Sequence, residues 1–518
     1  MATDGQFRVS VTLNWRRWFP PDVELDLDLQ LMRRRAWSLA RLPEWLLRRT
    51  SSLLTLAWLL LTVSLLLPVG AKAPRVFWAV ALPLIVLLLV VSGHDLWRRI
   101  CPLALLARLP QHLWPWGLGR SPGQLRRLDR SSWLARHHLG VQALLLLLGL
   151  ALRLLLVNNH ALSLALLFVV TIAAAMVCGA LLPGKAWCQY ICPMGPVEAI
   201  LTGPRGLFGS RPHRGSAGSL SQSTCRTPAG DDGRESNACV HCQSPCIDID
   251  SEQTYWQSLR PGDGLSRLSW MYPGLVLVFF LVLAHLGDDT LAGLRNGIWS
   301  RPADAPALLL QPLPPGLLPP QLNGPRLLTV PLLLLGGSLA SGGVLGLLHR
   351  LGLSRHRSRL LATALAVPVF FWCVDPSLGL AGPVGSWLLR GIALASLVLW
   401  LRREWRRGLR HHSRERVLHS LGQQLHRHLP PLLNGSPSGP RRHAGLPAVL
   451  AWMTLQEPSL RRQLQAPLLR GLLNDLRRQP HLDHHSLVLD LLAVHRALGL
   501  RAPDPHELLA RLVRRPQS

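Results

Sequence analysis

Long uncharged apolar stretches constrain this 518-residue chain more than any other feature of its sequence. A helix needs about 20 apolar residues to cross the hydrocarbon core of a bilayer. Eight segments approach that length, at residues 53–69, 76–92, 139–157, 161–182, 270–287, 327–348, 360–376 and 378–401. Backbone groups in lipid must be hydrogen-bonded within their own segment, which favours helices. The sequence therefore predicts an all-α, polytopic membrane helix bundle of about eight spans.

The distribution of arginine predicts the orientation of these spans. The connection between the second and third segments is rich in arginine, whereas the next connection is only Asn158-Asn159-His160. Arginine and lysine concentrate in cytoplasmic loops, so the former connection should be cytoplasmic. Carrying the alternation forward places residues 183–269, 349–359 and everything after 402 on the same side. We expect both termini to be cytoplasmic.

The net charge of +28 would suggest a nucleic-acid partner if the chain were soluble. Here the cations lie mostly between the apolar segments, where the positive-inside rule expects them. No RNA- or DNA-binding motif accompanies the charge. The sequence therefore predicts a lipid bilayer as partner and no nucleic acid.

Alternation of apolar and polar stretches predicts five regions. They are a cytoplasmic N-terminal arm at 1–50, membrane helices 1 to 4 at 51–182, a cytoplasmic cysteine-containing loop at 183–269, membrane helices 5 to 8 at 270–402, and a basic cytoplasmic tail at 403–518. The tail has amphipathic helical stretches separated by a Gly- and Pro-containing linker, which is typical of a small helical domain.

The polar loop between the fourth and fifth predicted spans holds the strongest metal-binding pattern. Cys239, Cys242 and Cys246 are spaced C-x2-C-x3-C, and Cys225 can complete a set of four. Four thiolates suit an iron–sulfur cluster or a tetrahedral zinc ion. The predicted cytoplasmic location keeps thiols reduced, which disfavours disulfides. We favour a [4Fe-4S] cluster bound by a ferredoxin-like loop and keep zinc as the alternative.

A second cysteine pattern precedes this loop. Cys188 and Cys192 form C-x3-C-P, and residues four apart on a helix share one face. The following Pro193 disfavours an unbroken helix, so the pair should lie at the end of an element. Upstream, the stretch ending at Cys101-Pro102 repeats the pattern with Trp97 in the place of the first cysteine. The candidates for a second thiolate-bound metal or cluster are Cys101, Cys188 and Cys192, with two buried apolar thiols as the alternative for the C-x3-C-P pair.

The two repeated elements and the cysteine loop together resemble a known family. The most specific stretch is Trp187-Cys188-Gln189-Tyr190-Ile191-Cys192-Pro193-Met194-Gly195. Over about residues 90–285 the chain resembles the NosR/NapH/CcoG group of membrane polyferredoxins. Members of that group are implicated in passing electrons between a quinone or cytosolic pool and redox partners, or in reducing copper during oxidase assembly. The chain departs from the group in having one ferredoxin-type cysteine set instead of two and Trp97 instead of a thiol.

This resemblance implies a membrane-bound iron–sulfur protein that passes electrons between a quinone or cytosolic pool and a redox protein. We expect a multi-pass protein of a bacterial inner or internal photosynthetic membrane. Two alternatives stay open. The membrane-edge cysteines could serve a copper reductase or metal-handling protein, or the cysteine loop could bind structural zinc in a scaffold.

Overall fold

A computed structural model of the chain describes the residues on which all structural statements below rest. They are residues 44–67, 73–113, 125, 128–129, 131–158, 160–208, 226–227, 236–237, 247, 251–260, 262–286, 309–373, 382–428, 446–477, 482–501 and 503–513. Within these ranges the chain is mostly helical.

The first half of the described chain contains eight α-helices and three π-helical segments. The α-helices are α1 Glu44–Ser64, α2 Ala73–Val76, α3 Leu82–Ser92, α4 His94–Ile100, α5 Pro102–His112, α6 Trp133–Leu152, α7 Ala161–Leu181 and α8 Met194–Thr202. The π-helical segments are π1 Phe77–Ala81, π2 Arg153–Val157 and π3 Trp187–Ile191. Two short strands follow, β1 Arg226–Thr227 and β2 Ser236–Asn237, and they pair antiparallel.

The second half of the described chain is again helical. Its α-helices are α9 Ser251–Gln257, α10 Gly264–His285, α11 Arg326–Arg350, α12 Arg355–Cys373, α13 Gly382–Arg406, α14 Leu409–His428, α15 Leu446–Thr454, α16 Pro458–Arg477, α17 His484–Ala497 and α18 Pro505–Val513. A short 3-10 helix, Pro320–Leu322, precedes α11.

Polar residues begin several of the long apolar helices. Ser132 accepts a hydrogen bond from the backbone N–H of Ala135 at 3.2 Å, before α6. Asp263 accepts from the N–H of Leu265 at 2.8 Å, before α10. Such caps satisfy N–H groups that have no partner inside the helix. They explain why these helices start at the edge of their apolar runs.

Six helices of the described chain are long and apolar enough to cross a membrane. They are Trp45–Ser64, Trp133–Val157, Ala161–Leu181, Gly264–His285, Arg326–Arg350 and Val384–Arg406. Many leucines and valines on them are exposed, such as Leu144 and Leu166 at 65% and 63%. Exposed apolar residues on long helices are expected where lipid is the solvent. The chain is thus a helical protein with the features of a membrane bundle.

The predicted number of about eight spans is not confirmed by these six. The second predicted span, 76–92, corresponds to the shorter apolar helix Phe77–Ser92. The seventh, 360–376, lies largely in α12, whose first turn carries Arg355, His356, Arg357 and Arg359. Those charges shorten the apolar part of α12, because an ionised side chain is costly in the hydrocarbon region.

Two arginines fall inside predicted spans, and protein groups surround both. Arg153 is 1% exposed, lies with its guanidinium carbon 4.2 Å from the centre of the Trp78 ring, and donates to the side chain of Asn158. Arg390 donates to the backbone carbonyls of Phe371 and Trp372, both at 3.1 Å, at the end of α12. Contacts to aromatic rings and carbonyls are the way a guanidinium is accommodated at such depth.

The chain divides into two compact units at Arg402 and Arg403. The second unit has its own apolar core of leucines from α14, α16 and α17, which includes Leu421, Leu468 and Leu491, all of them 0% exposed. Amphipathic helices of this kind gain their stability mainly by burying one apolar face against each other.

Candidate functional site at the Cys101 and Cys192 turns

The two cysteine-proline elements of the first unit have closely similar backbone conformations. We name Gly93–Pro102 the first copy and Gly184–Pro193 the second copy. Their glycines have φ of 73° and 68°, a left-handed conformation that favours glycine. The copies end at Cys101 and Cys192, whose φ and ψ are −59° and 123°, and −54° and 120°. The repeat seen in the sequence is therefore also a repeat in the fold.

The copies differ in the turn that leads to the cysteine. In the first, the N–H of Cys101 donates to the carbonyl of Trp97, four residues back, at 2.8 Å. In the second, the N–H of Cys192 donates to the carbonyl of Trp187, five residues back, also at 2.8 Å. The second copy is thus π-helical around Cys188. Single π-helical turns are rare and occur frequently at functional sites.

A buried carboxylate from α8 binds the first copy. Glu198 accepts hydrogen bonds from Trp97 Nε1 at 2.9 Å and from Arg98 Nε at 3.3 Å. Nδ1 of His94 lies 3.4 Å from the same carboxylate. All four side chains are at least 90% buried. Trp97, which stands where the second copy has a thiol, is therefore part of an ionic and hydrogen-bonded network.

Polar side chains also tie the second copy to the elements around the first. Lys185, 2% exposed, donates to the carbonyl of Arg98 at 2.8 Å. Gln111 of α5 donates to the carbonyl of Leu182 at 3.0 Å and accepts from the N–H of Gly184 at 3.1 Å. The helix after each copy therefore binds the other copy, because α8 supplies Glu198 and α5 supplies Gln111.

A glutamine inside a membrane-length helix holds the π-helical turn. Gln142 of α6 is 2% exposed, and its amide donates to the carbonyls of Cys188 at 3.5 Å and Gln189 at 3.4 Å. A π-helical turn leaves carbonyls that do not follow the regular α-helical bonding pattern, and a buried carbonyl requires a donor. Gly195 gives this amide room, since a Cβ there would lie 2.8 Å from Gln142 Nε2.

The thiols of the two copies act on each other electrostatically. Burial raises the pKa of Cys101 to about 12, and the neighbouring Cys188 and Glu198 contribute in the same direction. Burial likewise raises the pKa of Cys192, again with contributions from Cys188 and Glu198. Apolar surroundings and nearby anions both disfavour a thiolate. Cys101 and Cys192 are therefore neutral thiols at pH 7 in this arrangement.

The predicted second metal site is not formed by these thiols in the structure. Among the described residues, no group of three or more His, Cys, Asp or Glu side chains is placed to hold a metal ion. Cys101, Cys188 and Cys192 belong to the residues so described. A second thiolate-bound metal or cluster at these three cysteines stays a prediction from the sequence.

The four cysteines predicted to bind a cluster, Cys225, Cys239, Cys242 and Cys246, lie outside the described residues. Two described pairs of residues fall between the first and second of them. Arg226 pairs with Asn237, and Thr227 pairs with Ser236. Arg226, which follows Cys225, is thus paired with Asn237, which is two positions before Cys239.

Described residues on either side of the 209–250 segment contact each other, and those before it also contact residues at the start of the first copy. Arg205 and Glu252 form a buried ion pair, with Nε of Arg205 2.6 Å from Glu252 Oε2. The N–H of Phe208 donates to the carbonyl of Val91 at 2.7 Å. Gly206 packs so closely on Gly93 that a Cβ on Gly206 would lie 2.3 Å from the Gly93 nitrogen. The segment that carries the four cysteines therefore starts beside the first copy.

Helix α9, which follows the cysteine segment, is anchored on α12. The hydroxyl of Tyr255 lies 2.9 Å from Nδ1 of His356. The guanidinium carbon of Arg359 lies 4.3 Å from the centre of the Tyr255 ring, and its Nη1 donates to Ser258 at 2.5 Å. The ring of Trp256 stacks on His356 with centres 4.8 Å apart. Both ends of the cysteine segment are thereby fixed to the helical bundle.

The sequence did not indicate Glu198, Gln111 or Gln142 as site residues. A buried glutamine in an apolar, membrane-length helix was a usable signal for Gln142, because polar residues at such positions are costly without partners. Comparison with family models, with characterised proteins and with solved structures gave no match.

Proposed function

We propose that this chain is a membrane-bound iron–sulfur electron-transfer protein. In this proposal Cys225, Cys239, Cys242 and Cys246 bind one [4Fe-4S] cluster. The cluster would pass single electrons between a quinone or cytosolic pool and a redox protein. The proposal places the cysteines at the cytoplasmic side of a bacterial membrane, where thiols stay reduced.

The observation that carries the proposal is the set of contacts made by the described residues on either side of the cysteine segment. Arg205 and Glu252 pair at its base, and Phe208 bonds to Val91 next to the first copy. The described residues that flank the segment with four thiols are therefore in contact with each other and with the helix that precedes the first copy. Pairing of Arg226 with Asn237 supports approach of Cys225 to Cys239, the first two cysteines of the set. Four thiols at one position are the donor set that a [4Fe-4S] cluster requires.

Purification without oxygen tests the proposal. The full-length protein is expected to be brown, and its reduced form should give the EPR signal of a [4Fe-4S] cluster. The double substitution C239S/C242S should remove both signals, because two of four ligands are lost. The matched control is C373S, which removes a buried thiol of α12 that is not part of the set.

Two outcomes would contradict the proposal. A colourless protein with one zinc ion per chain would instead support the alternative of a scaffold with structural zinc. An EPR signal that survives in C239S/C242S would place the cluster on other residues.

Copper handling by Cys101, Cys188 and Cys192 receives no support from the described residues. Copper(I) binding needs two or more soft ligands directed at one point. Among the described residues no group of three or more His, Cys, Asp or Glu side chains is placed to hold a metal ion. We therefore keep electron transfer as the single proposed function.

A further inference from the structure

The segment where the last membrane-length helix ends contains two kinds of arginine. The span Val384–Arg406 is followed by Arg407 and Gly408, and α14 begins at Leu409. Arg403 and Arg407 lie inward and form ion pairs with the fully buried Glu404 at 2.6 and 3.2 Å. These ion pairs join the last turn of α13 to Arg407, which lies between the two helices.

Three further arginines point to solvent, and we name them the exposed arginine set: Arg406, Arg410 and Arg414. The side chains of Arg410 and Arg414 are 85% and 62% exposed. They are four residues apart in α14 and therefore share one face. The ion pairs of Glu404 described above are formed by Arg403 and Arg407 and not by the exposed arginine set.

Acidic neighbours neutralise only part of this charge. Arg410 lies 3.5 Å from Asp483, and Arg414 lies 3.2 Å from Asp490. A pair as exposed as Arg410 and Asp483 contributes little, because water screens it. No acidic partner is found for Arg406 among the residues that the structure describes. The set therefore keeps a net positive charge.

Chain connectivity keeps Arg406 and Arg410 close to the end of the span. Arg406 is the last residue of the span, and Arg410 is four residues further on. Four residues extend by at most about 14 Å, so Arg410 is within reach of the headgroup layer that borders the end of the span. Lipid phosphates lie in that layer, and a guanidinium binds phosphate by paired, charge-assisted hydrogen bonds.

We propose that Arg406, Arg410 and Arg414 form a basic surface that binds the headgroup phosphates of anionic glycerophospholipids. The exposed Leu409, at 39%, lies between Arg406 and Arg410 in the sequence and adds an apolar side chain to this surface. The site is independent of the proposed electron-transfer function. It selects lipids that carry a net negative charge over zwitterionic lipids with the same phosphate, because a headgroup amine would be repelled by the arginines.

Lipid titration of the purified full-length protein tests this site. Dioleoyl phosphatidylglycerol and dioleoyl phosphatidylcholine are added separately, and bound lipids are counted by native mass spectrometry. Phosphatidylglycerol should bind at least tenfold more tightly. The variant R406Q/R410Q/R414Q should lose more than tenfold of that affinity, since each arginine near a lipid surface is expected to contribute about fivefold. Binding should also weaken in 1 M salt, which screens exposed charges.

The matched control is R462Q/R470Q/R496Q, which removes the same charge from exposed positions on α16 and α17. This control should bind phosphatidylglycerol like the parent. The single variant R410Q serves if the triple variant unfolds, because the Arg410 side chain is 85% exposed and its loss should still reduce the affinity about fivefold.

Three outcomes would overturn the proposal. The parent could bind both lipids equally, the control could lose as much affinity as the triple variant, or soluble glycerol phosphate at equal concentration could displace the lipid. The last result would mean that the arginines bind phosphate without requiring a lipid.

Discussion

At the scale of single residues, Glu198 determines the stability of the first copy. It holds Trp97 and Arg98 by hydrogen bonds and lies beside His94, all within the protein interior. A buried cation that loses its carboxylate keeps the cost of desolvation without the compensating attraction. The identity of this one side chain therefore matters more than that of the many exposed charges.

We expect Glu198→Gln to destabilise the protein by about 3 kcal/mol, the magnitude typical of a broken buried ion pair. The measurement is the midpoint of heat-induced loss of monodisperse protein in detergent. Glu457→Gln is the control, because Glu457 is exposed and its substitution should change the midpoint little. Equal midpoints for parent and Glu198→Gln would show that Arg98 does not need this carboxylate.

A second residue-scale prediction concerns Asp490 in α17, which is 4% exposed. Burial raises the pKa of Asp490 above its usual value, and the charge and hydrogen bond of Arg414 oppose the shift. The folded state then holds a proton at pH values where the unfolded chain has released it. Stability contributed by this group therefore increases as the pH falls from neutral towards the unfolded pKa of about 3.9.

Asp490→Asn should abolish that contribution. Between pH 7 and pH 4.5 the parent should gain free energy of unfolding relative to the variant, as measured by urea titration of the second unit. Asp504→Asn changes an exposed carboxylate and should follow the parent. If Asp490→Asn gained as much free energy of unfolding as the parent on acidification, the pKa of Asp490 would not be raised in the folded state.

At the scale of elements, close packing of α5 on α7 brings the two copies together. Gly179 of α7 faces the backbone of α5, and a Cβ at this position would lie 1.6 Å from the carbonyl oxygen of Ala107. Small residues allow such close approach of helices in membranes. Gln111, a few residues further along α5, then reaches the carbonyl of Gly179 at 2.8 Å.

Gly179→Ala should force the two helices apart and destabilise the protein by about 1 to 3 kcal/mol, the usual cost of overpacking. Gly149→Ala in α6 is the matched control, since nothing lies within 4 Å of a Cβ placed there. Thermal midpoints of the two variants in the same detergent give the comparison. A midpoint of Gly179→Ala at or above that of Gly149→Ala would rule out the close contact.

The two copies could be predicted from the sequence, whereas most of the residues that form hydrogen bonds with them could not. The shared glycine and the Ile-Cys-Pro ending recur at the same offsets, so Gly93–Pro102 and Gly184–Pro193 could be aligned by eye. The partners of these copies lie far along the chain, as with Gln111 and Gly179, 68 residues apart. The sequence around a single glutamine or glutamate has no pattern from which a hydrogen-bond partner so far along the chain could be predicted.

The predicted spans differ from the long apolar helices for a similar reason. Apolar run length identified the six helices, but it did not detect the charged first turn of α12 or the short length of Phe77–Ser92. The cluster ligands Cys225, Cys239, Cys242 and Cys246 stay a prediction from their spacing.

At the scale of the whole molecule, the second unit has the core of an independently folding domain. Leu468 is 0% exposed and packs with leucines of neighbouring helices, whereas Leu489 is 56% exposed. Residues 403–518 produced alone are expected to be helical by circular dichroism and to unfold cooperatively in urea.

In that fragment Leu468→Ala should cost about 2 to 5 kcal/mol, because it leaves a cavity in the core. Leu489→Ala should change the free energy of unfolding by less than about 0.5 kcal/mol. A fragment without a cooperative transition would show that the second unit depends on the rest of the chain.

The first copy forms hydrogen bonds with a residue that is synthesised much later. Trp97 and Glu198 are 101 residues apart, and a ribosome adds about 5 to 20 residues per second. The indole and guanidinium groups of the first copy are thus made about 5 to 20 seconds before the carboxylate that receives them. Until then, water or the insertion machinery must solvate those groups at the bilayer edge. Biogenesis of this protein therefore includes a waiting period that ends when residue 198 leaves the ribosome.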